Sequence, residues 1–165
     1  MTETHTDREK AAIAEVLDTY RDIVRWKLDG VSRDDATNRF LDSDTSLLGV
    51  VKHLIYVERY WFQVVFAGDA SAMPDGRADP NFDWRIEDDE SIDGILDRYT
   101  AECASSRAVL DGLESLDTEF PRRDEMLVAR DILLHVIEEI ARHVGHMDIV
   151  RELIDGATGW GPDNE

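Results

Sequence analysis

The 165-residue chain has a single cysteine, Cys103. An intrachain disulfide is therefore impossible, and a reducing cytosol fits best. Cys103 sits beside small residues in a helical pattern, where a buried, inert thiol is commoner than a reactive one. Basic residues are also scarce: 18 Lys and Arg stand against 37 Asp and Glu, a formal charge of −19. Such a surface repels phosphate backbones and anionic headgroups, so nucleic acid and anionic membranes are poor partners. No run approaches the roughly 18 apolar residues that a spanning helix needs, and the opening MTETHTDREKAA lacks the apolar core of a secretory signal. These absences read as a cytoplasmic protein. There is no CxxC pair, no Gly-rich phosphate loop and no Ser-His-Asp set that the pattern can place. No segment alternates convincingly at period two, so no sheet is expected.

What is present is helical periodicity. Hydrophobic residues make up 42% of the chain, enough for a globular core, and the length suggests one domain over residues 1–165. Four long segments repeat apolar residues at i, i+3, i+4 and i+7. The first spans about Asp7 to Asp29, with Ile13, Val16, Leu17, Tyr20, Ile23, Val24 and Leu28 in its stripe and Gly30 after its end. The second spans about Thr45 to Phe66, with cap candidates in 42-DSDTS-46. The third spans about Ser91 to Leu113, with caps in 88-DDES-91. The fourth spans about Asp124 to Ile154 and stops at 155-DGATG-159. The connection over residues 67–90 is longer than ordinary loops, which suggests a function of its own. It ends in 82-FDWR-85, whose aromatics are expected to fold back on the helices. The fold class is all-α: a four-helix bundle with one long crossover.

The stretch 135-HVIEEIARHVGH-146 poses the functional question, because its apolar side carries titratable groups. At about 100° per residue, Glu139 and His143 lie roughly 40° apart, on the stripe of Val136, Ile140 and Met147. Glu138 points away and should be solvated. A carboxylate buried without a partner costs several kcal/mol or takes up a proton. A cation would compensate it, and so would a Glu–His hydrogen bond within the helix. In the second segment His53 lies on the side of Val50, Leu54, Val57, Trp61 and Val64, opposite Lys52, Arg59 and Gln63. Two helices thus aim imidazoles inward. His53, Glu139 and His143 make a three-ligand set of the open type, with a position left for water or substrate. His135 reads as a supporting or structural residue. A zincin motif is absent, since no His precedes His143 by four, and so is the di-iron pattern, since Val50 and Ile140 stand three before His53 and His143. Imidazole plus carboxylate suits Zn²⁺, the expected ion, and also Ni²⁺, Fe²⁺ or Mn²⁺.

The blocks 46-SLLGVVKHLIYVERYWF-62, 82-FDWR-85, 98-RYTAECASSRAVL-110 and 133-LLHVIEEIARHVGHMDIVRELIDGATG-159 resemble the DinB-like/YfiT-like superfamily of metal-dependent four-helix proteins, in a largely actinobacterial branch. The usual superfamily site is a His on the second helix and His-x-x-x-His on the fourth. Carried over, its first and last ligands fall on His53 and His143, and the middle position is Glu139 instead of His. That departure is similar to the mycothiol-dependent maleylpyruvate isomerase. The resemblance implies a divalent metal and a low-molecular-weight thiol cosubstrate such as mycothiol, with a transferase or isomerase acting on a small electrophile. It also implies a homodimer. Trp61, Trp84, Arg142 and His146 are the candidates for contacting substrate. A non-catalytic, metal-containing or stress-linked binding protein and a metal-dependent hydrolase are the rival readings.

Overall fold

The computed structural model describes residues 5–40, 45–73, 79 and 81–161. Four long helices carry the architecture: α1 (His5–Trp26), α3 (Leu47–Glu58), α4 (Ile92–Gly112) and α5 (Ala129–Asp155), with a short α2 (Arg33–Thr37) after the first. The expected all-α bundle is present. Ser46 caps α3, its Oγ accepting from Gly49 N at 3.2 Å, and Ser91 caps α4 through Gly94 N at 3.0 Å. Gly156, at φ 76°, closes α5 in the left-handed conformation that glycine adopts without strain. Residues 42–44 of the 42-DSDTS-46 cap run lie outside the described residues.

Leu17 and Val24 of α1, Leu54 of α3, Ile95 and Leu110 of α4, and Val136, Ile140 and Met147 of α5 belong to one buried cluster. Val16, placed on the first stripe from sequence, is exposed. The buried arc of α1 runs through Ile13, Leu17, Arg21 and Val24 instead. Helix ends also borrow partners from other elements. Lys10 Nζ donates to the carbonyls of Asp111 and Leu113 at the end of α4, at 2.9 and 2.6 Å. Arg151 Nη1 donates to those of Lys27 and Asp29 beyond α1, at 3.0 and 2.9 Å. Cations at these positions satisfy carbonyls that a helix cannot satisfy itself.

Three features depart from the sequence pattern. Lys52, opposite the apolar stripe of its own helix, is nevertheless buried. Every residue from Leu47 to Lys52 is buried, because α4 covers one flank of α3 and the 81–90 segment covers another. Lys52 Nζ donates there to Arg85 O at 2.6 Å and pairs with Glu90 at 2.7 Å. The second segment is also not one α-helix. From Arg59 to Phe66 it widens into a π-helix that buries Trp61, Phe62, Val65 and Phe66. Such widening is rare and often stands at functional sites.

Third, a sheet exists. Strands β1 (Glu119–Arg122) and β2 (Glu125–Val128) form an antiparallel hairpin in which Phe120 faces Leu127. Its strands are four residues each and one contains Pro121, too short a pattern to register as alternation. The hairpin also sets where α5 begins, at Ala129 and not Asp124. The orphan N–H groups of Ala129 and Arg130 donate to Thr118 O and Leu116 O, at 2.9 and 3.0 Å.

Glu90 joins Lys52 to Arg98, whose Nη2 donates to it at 2.6 Å. Burial opposes ionisation of Glu90, but Lys52, the Glu87 N–H and Arg98 outweigh it and hold its pKa below the ordinary value. A folded-state pKa below the unfolded one adds stability that is complete above about pH 4.5 and fades as pH falls through the lowered value. Glu90→Gln should therefore flatten the acid limb of the thermal-stability profile below about pH 4.5 while losing stability at pH 7. Parallel profiles at both ends would show that the pair contributes nothing.

Candidate metal centre

α3 and α5 pack side by side, and their facing stripes bring His53, Glu139 and His143 together. One ligand-capable atom from each lies within 4.8 Å of the others. The His53 and His143 rings meet edge-on with centroids 4.8 Å apart. His143 is buried, while His53 and Glu139 are partly so.

The two imidazoles are held differently. His53 Nδ1 lies 2.8 Å from Asp83 Oδ2. A carboxylate only accepts, so Nδ1 carries a proton, and in the neutral ring the lone pair is then on Nε2. Trp84 stacks on the same ring at 4.2 Å and 16°. His143 Nδ1 is buried with no hydrogen-bond partner. Burial, then the nearby His53, His146 and Arg142, push the His143 pKa down to about 4, so the ring is neutral at pH 7 and can donate an electron pair.

A Glu–His hydrogen bond would satisfy the pair without an ion. It is not made: His143 Nε2 and Glu139 Oε2 stand 3.5 Å apart, beyond good N–H···O geometry. Two imidazoles, one carboxylate, an orphan buried nitrogen and a carboxylate behind one imidazole fit a divalent cation.

The other candidates scatter. His146 is half-buried, its ring 5.5 Å from that of His143. Trp84 borders both imidazoles, at 5.5 Å from His143, and lines a cavity of about 270 Å³ with Arg39, Thr45, Asn81 and Arg85. Arg142 is exposed, yet its charge reaches His143. Trp61 is buried, with Arg122 over its ring at 4.9 Å and His135 edge-on at 5.1 Å. It walls a second cavity, of about 310 Å³, toward the hairpin. Glu138 is solvated, with a side-chain exposure of 80%.

Asp83 was missed from sequence. The signal was there: an acid between two aromatics in a segment expected to fold back. Phe82 does fold back, edge-on to Tyr56 at 4.9 Å.

The family model for mycothiol-S-transferase matches residues 12–156. The chain belongs to that family. In fold, this mycothiol-S-transferase family member is similar to the crystal structure of a DinB-like protein from Bacillus subtilis. The TM-score is 0.67 at 18% identity, over 93% of this chain and 99% of that one. No curated protein matches. Among the described residues no helix is long and apolar enough to cross a membrane.

Cys103 stands apart from this site. It is buried, with Sγ 3.9 Å from Glu58 Oε1. Burial, then the Glu58 charge, push its thiol up to about 12 against the opposing pull of Arg21. A protonated thiol is a poor nucleophile. The native protein should therefore resist Ellman's reagent at pH 8 and react only when unfolded, whereas rapid stoichiometric labelling would mean an accessible thiolate.

Proposed function

We propose that the chain is a metal-dependent S-transferase that joins mycothiol to a small electrophile, with His53, Glu139 and His143 as the metal ligands. The observation that carries this reading is the approach of two imidazoles and a carboxylate to within 4.8 Å, in a chain whose family is named for transfer to mycothiol. A divalent ion held there supplies the positive charge that turns a thiol, with an ordinary pKa of about 8.5, into a thiolate at neutral pH.

The chain's own groups do the rest. Glu139 adds one negative charge to two neutral rings, which leaves the centre less electrophilic than three imidazoles would. Trp84 and His146, whose rings each lie 5.5 Å from that of His143, are placed to contact a substrate, and Arg142 favours anionic reactants nearby. In the reaction the thiol proton is lost to solvent, a carbon–sulfur bond forms, and the leaving group departs with its electron pair.

The test is to purify the protein, measure bound metal, and follow loss of mycothiol against a panel of alkylating electrophiles with and without a chelator. Metal-dependent consumption of both reactants supports the reading. Loss no faster than in buffer, by metal-loaded protein, would favour the non-catalytic alternative. Turnover of an electrophile without any thiol would favour the hydrolase.

A further inference from the structure

Four consecutive residues of the crossover lie against α3 in order. Phe82 meets Tyr56 at 4.9 Å. Asp83 holds His53 Nδ1 at 2.8 Å. Trp84 stacks on the His53 ring at 4.2 Å. Arg85 O accepts from Lys52 Nζ at 2.6 Å. The segment is wound before it docks: Asn81 O accepts from Trp84 N and Arg85 N, at 3.1 and 3.0 Å. Asp79 braces that turn through Asn81 N at 2.9 Å and through the Arg85 guanidinium.

The seat on α3 is Gly49. A Cβ at that position would stand 2.9 Å from the Trp84 carbonyl oxygen and 2.9 Å from Ser46 Oγ. The first is backbone and cannot swing away, so only glycine lets the segment lie this close.

We propose that residues 82–85 form a strap whose Asp83 and Trp84 are positioning residues for His53: Asp83 fixes the tautomer that presents Nε2, Trp84 fixes the ring plane, and Gly49 sets the strap's height. The proposal rests on the reading of His53 as a metal ligand. A histidine that holds a metal through one nitrogen depends on what its other nitrogen donates to, and loss of that partner costs about 10–100-fold in affinity. His53 comes from a helix, but its orientation comes from a loop some thirty residues downstream.

Two measurements test this. Long-range ¹H–¹⁵N correlation spectra of the metal-free protein at pH 8 report the His53 tautomer directly. Wild type and Asp83→Asn, which keeps an oxygen acceptor, should both show Nδ1–H, whereas Asp83→Ala should shift toward Nε2–H. Competition titrations with Zn²⁺ should show a 10–100-fold loss for Asp83→Ala, with partial recovery in Asp83→Asn. Gly49→Ala should weaken Zn²⁺ comparably without altering any side chain at the cluster. An Nδ1–H tautomer retained in Asp83→Ala, or Zn²⁺ affinity within twofold of wild type there, would overturn the proposal. A wild type that takes up no divalent ion would instead sink the metal reading, and the tautomer spectra would still decide the role of Asp83.

Discussion

Replacing His143 by alanine should remove stoichiometric metal and, with it, thiol transfer. The side chain is buried and contributes one of three candidate ligands among the described residues, so its loss leaves two, from different helices. The affinity change should exceed the 10–100-fold that follows loss of an outer partner. Stability offers a readout independent of turnover. An ion that binds only the folded state stabilises by about 2.7 kcal/mol at 100 times its dissociation constant. For a chain of this size each kcal/mol moves the melting temperature by about 2–4 °C. Wild type should therefore gain roughly 5–11 °C on loading with Zn²⁺ at that excess, and His143→Ala should gain almost none. His53→Ala should behave alike. Wild-type affinity and an undiminished melting increment in both variants would remove the two histidines from the site. The metal-free variants supply the control: their melting temperatures report packing alone.

Periodicity found the four long helices because each buries one broad stripe, and the wheel placed His53, Glu139 and His143 on inner faces for the same reason. Local pattern does not encode what covers a helix from outside. Lys52 stands opposite the apolar stripe, and nothing in its own helix says that the 81–90 segment will lie over it. The hairpin was invisible because four-residue strands, one interrupted by Pro121, carry almost no alternation, and its role in starting α5 is a backbone contact that no side chain announces. The widening at Arg59–Phe66 likewise has no counterpart in an apolar run that suits an α-helix equally well. Arg21 and Glu58 were legible in principle. Arg21 falls between Leu17 and Val24, and Glu58 between Leu54 and Phe62, each at the spacing of a buried stripe. Two opposite charges on two inward stripes are a pairing signal, but only if the two helices are already known to face each other.

That pair should carry the largest stability effect in the protein. Glu58 is fully buried and Arg21 is 2% exposed. The guanidinium donates to both carboxylate oxygens, Nε to Oε1 and Nη2 to Oε2, each at 2.8 Å, with Nη1 on Asp18 at 2.9 Å. Burial opposes the Arg21 charge, yet Glu58 outweighs it and holds the pKa above its ordinary value. Glu58→Ala would leave that charge buried with only the half-exposed Asp18 as partner, at a cost of about 3–5 kcal/mol. Against a typical total of about 5–15 kcal/mol, the variant should sit near the limit of folding. The pair itself need not stabilise much, because desolvating both ions offsets most of their attraction. Arg21→Met with Glu58→Leu should therefore recover most of what Glu58→Ala loses, a comparison that denaturant titration of wild type and the two variants makes directly. If Glu58→Ala costs less than about 1 kcal/mol, water reaches the guanidinium and the pair is not buried in solution. If the double variant is as unstable as the single, the ion pair is worth its full attraction, and the junction of α3 with the wider turn at Arg59 depends on it.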